Sequence, residues 1–320
     1  MYAGRAIRIG SAAKQLVTPN AVGVVHSVFT HSMNIMVGSA GLITMTCNGS
    51  PDTPITLRTD LPNLDLYRIK PDVGTKVSFP TYDSMVIGGF LKIGGISSAN
   101  VWDGNLSFLH IVDNDRIAKN LAFAQTAITK YGRPDGLLPI LHDICEFSEA
   151  DKDHSLVSGG NLYSKLAKVH IERLTKLLMI GEVNLASSEA ANLVGLGLGL
   201  TPSGDDFLCG LMAVIGLSKK LGVELRGQSH FGEFLTSYAE KETNLISRTY
   251  IRLHSCGLVS ATVYDLIENI LFGDKASIDN SIAKVCDYGH SSGTDLAVGI
   301  LYGFSIIVGI RLRQSYTGEE

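Results

Sequence analysis

The segment Gly195-Leu-Gly-Leu-Gly-Leu-Thr-Pro-Ser-Gly-Asp-Asp206, running into the apolar stretch Phe207–Leu217, is where residue types and spacing first point to chemistry. Two familiar phosphate-binding loops do not fit it. A dinucleotide fingerprint needs a third glycine where Leu200 or Pro202 stands. Gly199 and Gly204 have the G-x4-G spacing of a P-loop, but Asp205 and Asp206 occupy the Lys-Ser/Thr positions and reverse the electrostatics. The glycines Gly195, Gly197 and Gly199 let the backbone bend tightly and let another group come close. Thr201 or Ser203 is the expected N-cap, with Pro202 in the first turn. Asp205 and Asp206 then lie at the positive helix end, where carboxylates are favoured by about 0.3–1 kcal/mol. Two readings fit: an elaborate cap packed on a neighbouring helix, or a ligand or metal site.

The same pattern recurs further along. Ser203-Gly-Asp-Asp-Phe-Leu-Cys-Gly-Leu211 aligns with Ser292-Gly-Thr-Asp-Leu-Ala-Val-Gly-Ile300, so Gly204 pairs with Gly293 and Asp206 with Asp295. Gly210 and Gly299 follow their aspartates by one turn on the same helix face. Glycine there costs up to about 1 kcal/mol relative to alanine, which close helix packing would explain. The simplest arrangement has two related helices crossing at these glycines, with both Ser-Gly-x-Asp starts opening into one cleft. An enzyme would line a concave pocket with them; an assembly module would bury them in a dry interface.

Gly289-His290-Ser291-Ser292 precedes the second copy. No G-x-S-x-G elbow accompanies it, so a polar grip on an anion or carbonyl fits better than a Ser-His-Asp triad. Thr243-Asn244-Leu-Ile-Ser247-Arg248 opens another helix, with Thr243 as the expected cap. Arg248 and Arg252 lie one turn apart, either supplying positive charge to the site or forming a surface pair. The candidate catalytic residues are therefore Asp206, His290 and Asp295. The candidate ligand-binding residues are Gly197, Gly199, Thr201, Ser203, Gly204, Asp205, Thr243, Asn244, Ser247, Arg248, Ser291, Ser292 and Gly293. Asp205, Asp206 and Asp295 imply either Mg²⁺ between them or hydrogen bonds to an amide NH₂. The remaining histidines (26, 31, 110, 142, 154, 170, 230 and 254) lack zinc-site spacing.

These residues need a scaffold, and its texture changes along the chain. From Ala21 to Val112 the sequence is rich in Val, Ile, Thr and Gly. Its short runs (Val22–Phe29, Asn34–Val37, Leu42–Cys47, Ile55–Arg58, Lys76–Phe79, Met85–Ile87) predict a small antiparallel sheet or barrel. From Asp113 the period becomes helical. Ile117, Leu121, Ala124 and Ile128 share one face, and Gly132-Arg133-Pro134 stops that helix. Leu162, Leu166, Val169 and Leu174 mark a second helix, ending toward Gly181. Others are expected over Glu189–Val194, Asp205–Leu221, Phe231–Ala239, Asn244–His254, Ala261–Phe272, Ser277–Val285 and Thr294–Leu312. Glu146–Asp153, dense in charge, reads as a solvated connection. Strands followed by helices indicate an α+β class: a β-rich domain over residues 1–114 and an α-helical domain over 115–320.

Composition narrows the function. With 31 acidic residues against 27 basic, the net charge of −4 over 320 residues argues against a general nucleic-acid binder. The longest apolar run, Leu296–Ile310, is interrupted by glycines and shorter than the roughly 20 residues that span a bilayer, so no membrane segment is expected. The odd, dispersed set Cys47, Cys145, Cys209, Cys256 and Cys286 reads as buried thiols of a reducing, cytoplasmic compartment.

Gly195–Asp206 with its helix, Thr243-Asn244-x-Ile-Ser247 and Gly289-His-Ser-Ser-Gly-x-Asp295 together resemble the AllH family. Gly23-Val-Val-His-Ser-Val-Phe29 and Ala99-x-x-Trp102 extend the resemblance over roughly the whole chain. Leu198 stands where the family pattern is expected to carry proline, which leaves this loop freer. The resemblance implies one subunit of an oxamate carbamoyltransferase, an enzyme of bacterial purine and allantoin catabolism that moves a carbamoyl group between oxamate and phosphate. It implies a small anionic or ureido metabolite and other subunits of the complex as partners, and it assigns no catalytic residue. A non-catalytic assembly or ligand-binding subunit is the alternative.

Overall fold

The computed structural model describes residues 2–47, 49–62, 69, 71–108, 112–141 and 160–317. Cys145, His110, His142, His154 and the charged connection Glu146–Asp153 lie outside them. The chain divides into two units, one running to Asn105 and including Leu258–Ala261, the other comprising Leu106–Gly257 and the residues from Thr262 onward.

The first unit is a barrel of mixed strand sense. Its strands are β1 (Tyr2–Gly10), β2 (Ala21–Val28), β3 (Ser32–Val37), β4 (Gly41–Thr46), β5 (Thr56–Thr59), β6 (Lys76–Thr81), β7 (Ser84–Ile87), β8 (Leu91–Gly94) and β9 (Asn100–Trp102), with the short helix α1 (Ser11–Leu16) after β1. The order β5-β4-β3-β2-β6-β7-β8-β1 closes through a β5–β1 pairing, and β9 extends the edge of β1. The expected antiparallel pairing holds for the hairpins, whereas β1–β8, β1–β9 and β4–β5 run parallel. Alternation fills the interior: Val77 and Phe79 of β6, and Leu91 and Ile93 of β8, point inward between exposed Lys76, Ser78 and Lys92.

Closure brings Arg8 of β1 directly opposite Arg58 of β5. Like charges in that position repel, and Asp52 offsets them: its carboxylate lies 2.8 Å from Arg8 Nη1 and 3.0 Å from Arg58 Nη2. Asp52 is itself buried. Asp52→Asn should therefore cost about 2–3 kcal/mol by leaving two facing guanidinium groups without their counter-ion. A denaturant midpoint equal to that of the native chain would show that the seam does not depend on this carboxylate.

The second unit is helical. After α2 (Asn114–Tyr131) come α3 (Leu162–Met179), α4 (Val183–Ala191), α5 (Ser203–Ile215), α6 (Gln228–Glu242), α7 (Leu245–Ser255), α8 (Ala261–Phe272), α9 (Lys275–Cys286) and α10 (Ser292–Thr317). All residues of α5 are buried, and α10 is its principal neighbour. Ser292–Ser315 in α10 is, among the described residues, the one stretch long and apolar enough to cross a membrane. It packs here as a core helix, with 61 % of its most apolar window buried within the protein. On α3 only part of the expected face is buried: Leu174 and Leu178 are, whereas Leu162, Leu166 and Val169 are exposed. Ser164, Ala167 and Ile171 complete that buried stripe. Cys47, Cys209 and Cys286 are buried thiols as expected, but Cys256, at the end of α7, is exposed.

Candidate functional site

The site is built where α5 and α10 begin. The two helices meet at their glycines with reciprocal contacts. A Cβ at Gly210 would land on the carbonyl oxygen of Leu296 and lie 2.8 Å from the amide of Ile300. A Cβ at Gly299 would land on the carbonyl oxygen of Phe207 and lie 3.0 Å from the amide of Leu211. In each case the partner residues stand three before and one after the opposing glycine, so the crossing has a local two-fold relation. Gly204 and Gly293 repeat the theme lower down, each seated against a backbone carbonyl, of Leu193 and Val285 respectively.

The two-fold relation extends to the polar residues. The Ser292 hydroxyl at the start of α10 faces Asp206 of α5, and the Ser203 hydroxyl at the start of α5 faces Asp295 of α10. Thr201 joins the first group, its hydroxyl 2.8 Å from that of Ser292, and Ser291 joins the second. Neither Thr201 nor Ser203 caps α5. Pro202 occupies the N-cap position, with no side-chain cap, and its carbonyl accepts from the Asp206 amide. Their hydroxyls are turned toward the α10 start instead.

Asp205 has a different task from Asp206. Its Oδ1 accepts from the Gly195 amide at 2.8 Å and its Oδ2 from the Thr243 hydroxyl at 2.6 Å. It thereby ties the glycine loop to the α6–α7 corner. Asn244, not Thr243, caps α7, accepting from the amides of Ile246 and Ser247 while its own amide donates to the Leu200 carbonyl. Threonine at 243 is left extended at the end of α6, free to donate to Asp205. The loop between these ties carries Gly197 and Gly199 at positive φ and presents Leu198 and Leu200 outward.

One contact lies beyond any sequence signal. The Leu137 amide donates to Asp295 Oδ1 at 2.6 Å, and a side chain on Gly136 would occupy the Asp295 carboxylate. Gly132–Pro134 is legible in sequence only as a helix stop, and nothing local ties position 136 to a residue so distant along the chain.

Two expected charges are engaged elsewhere. Arg248 Nη1 pairs with Glu240 Oε2 at 3.2 Å. His290 is largely exposed and sits 3.1 Å from Asp135, not against either buried aspartate. Among the described residues no group of three His, Cys, Asp or Glu is arranged to hold a metal ion, so the three aspartates do not form the Mg²⁺ cluster that their spacing suggests. Ser247 is buried with its hydroxyl beside Asp205.

What converges is a pair of buried carboxyl groups. Asp206 is 8 % exposed and Asp295 fully buried, and the Oδ2 atom of each lacks a hydrogen-bond partner. Burial, then the Asp295 charge, holds Asp206 well above the ordinary carboxylate range. Burial pushes Asp295 up to about 6, against the opposing pull of the Leu137 amide and the serine hydroxyls. Both carboxyls thus hold a proton to higher pH than an ordinary aspartate, and as neighbours they titrate as a coupled pair. Such a pair accepts hydrogen bonds from N–H groups and repels anions.

Residues 193–304 match the family model described as oxamate carbamoyltransferase subunit AllH, and residues 5–99 match the AllH family N-terminal domain. The first match contains the whole of the α5 start, the α7 cap and the α10 start; the second lies in the barrel. No solved structure matches the chain.

Proposed function

Because the chain belongs to the AllH family, we propose that it acts as one subunit of an oxamate carbamoyltransferase-type complex in the cytoplasmic breakdown of allantoin or related ureido compounds, holding a small metabolite where α5 and α10 begin. The buried carboxyl pair carries this reading. Two buried Oδ2 acceptors without a partner cost about 1–3 kcal/mol each, a cost that plain capping does not require. Carbamoyl transfer also needs cations around phosphate and the charge that develops on the carbonyl oxygen. Arg248 and His290 are engaged with Glu240 and Asp135, so that half of the chemistry falls to other subunits.

The alternative, a pure assembly subunit, draws on the glycine crossing, which packing alone explains, and on the burial of Ser203, Asp206 and Asp295, which is the arrangement expected of an assembly module. Asp206→Asn separates the two. Asn accepts hydrogen bonds much as Asp does and carries no desolvated charge, so the melting temperature should hold. Under the site reading, oxamate- or carbamoyl phosphate-dependent stabilisation of the chain and activity of the reconstituted complex should fall at least tenfold. A variant that binds and supports turnover normally would leave assembly as the role of these helices.

A further inference from the structure

We propose that Asp206 and Asp295 together form a clamp for a single NH₂ group, each Oδ2 accepting one of its two N–H bonds, so that the site reads the amide or ureido end of its ligand and rejects a carboxylate in the same place. The inference rests on the site reading above and specifies its ligand chemistry. Both Oδ2 atoms are buried without a partner, and they belong to carboxyls related by the local two-fold of the α5–α10 crossing. A planar NH₂ offers two equivalent donors with the same symmetry. The neighbouring hydroxyls of Thr201, Ser203, Ser291 and Ser292 surround the pair with groups that can accept or donate, and Arg248 and His290 are committed elsewhere. A bound anion would face two carboxyl groups with neither of these cations to offset them.

Both acceptors are closed off from solvent, the Asp295 carboxylate against Gly136 and the Asp206 carboxyl beside the Thr201 hydroxyl at the end of the glycine loop, so a ligand reaches them only where this cover opens. That loop is held at its end by the Thr201–Ser292 hydroxyl contact and the Asn244 bond to the Leu200 carbonyl. Gly195, Gly197 and Gly199 accommodate the positive φ that this stretch requires.

Asp295→Asn provides a directed test. The Leu137 amide donates to Oδ1, so the Asn carbonyl oxygen must take that position, which puts the amide NH₂ where Oδ2 was. The acceptor becomes a donor without loss of volume. Thermal shift and calorimetry on the full chain, or on the complex, would compare oxamate, N,N-dimethyloxamate, oxalate and ammonium chloride. The native chain is expected to respond to oxamate alone. Asp295→Asn is expected to lose at least tenfold in oxamate affinity and to discriminate less against oxalate, with no fall in melting temperature. Equal response of the native chain to oxamate and its dimethyl analogue, to oxalate, or to ammonium alone would overturn the clamp while leaving a ligand site. No response to any of the four by the native protein would overturn the site reading itself. The ligand series on the native chain needs no variant, so a folding defect in Asp295→Asn would not shield the proposal.

Discussion

Gly210→Ala and Gly299→Ala should each destabilise the helical unit by about 3 kcal/mol, although alanine is the better helix former by up to about 1 kcal/mol. Propensity predicts a gain; geometry predicts a loss, and geometry should prevail. The added methyl at either position meets a backbone carbonyl of the opposing helix, which cannot rotate aside as a side chain would. Relief requires α5 and α10 to separate, and both are core helices whose buried side chains are packed on several sides. Because the contacts are reciprocal, one separation accommodates both methyl groups. The double variant should accordingly lose clearly less than the sum of the single losses, the non-additivity expected of residues that share one structural response. Chemical denaturation of the three variants checks both points. Additive losses would mean that the two glycines answer to independent constraints, and unchanged midpoints would dissolve the crossing as a cause of their presence.

That crossing is legible in the amino-acid sequence because it depends on periodicity. Ser-Gly-x-Asp and a glycine one turn later, found twice, define a face on each of two helices, and a face without side chains has few uses beyond close approach. The strands from Ala21 to Ile87 are legible for the same kind of reason, alternation against turn residues. Other features leave weaker marks. β1 and β8 are hard to see because Arg5, Arg8 and Lys92 break up their apolar runs, and barrel closure by parallel pairing has no local signature. The buried face of α3 is partly disguised, since its large apolar residues draw attention away from Ser164 and Ala167. Thr243 and Asn244 are both good caps by type, and only the chain direction at the α6–α7 corner decides between them. Charges are the least legible. Arg248, His290 and Asp205 each have partners made by tertiary approach, with Glu240, Asp135 and Thr243, so residue type alone overstates what they can offer a ligand.

The carboxyl pair also makes stability depend on pH in an unusual direction. Asp295 titrates at about 6 in the folded chain, against 3.8 as its ordinary value. The folded state therefore binds a proton more tightly than the unfolded state. Well below pH 3.8 both states are protonated and no penalty applies. As pH rises toward 6 the unfolded chain releases its proton first, so stability falls, levelling once Asp295 has ionised in the folded state. The full excursion is about 3 kcal/mol, from a shift of roughly two units at 1.36 kcal/mol each. Asp206, raised by burial and by the Asp295 charge, adds to the decline in the same direction. Asp295→Asn removes the first part of this slope. It also places one unpartnered amide group in a buried position, a cost of about 1–3 kcal/mol, so the net gain near pH 7.5 should be about 1–2 kcal/mol. At pH 4 the native carboxyl is largely neutral, the gain disappears, and the variant should be equal or slightly weaker. The expected result is thus two stability curves that cross between pH 4 and 7, with the variant above at the alkaline end. Parallel curves would show that Asp295 ionises at an ordinary pH in a solvated setting, which would remove the desolvated acid pair on which the ligand site depends. A variant that is more stable yet has lost oxamate binding would identify the native carboxylate as a group kept against the interest of folding, and hence for what it binds.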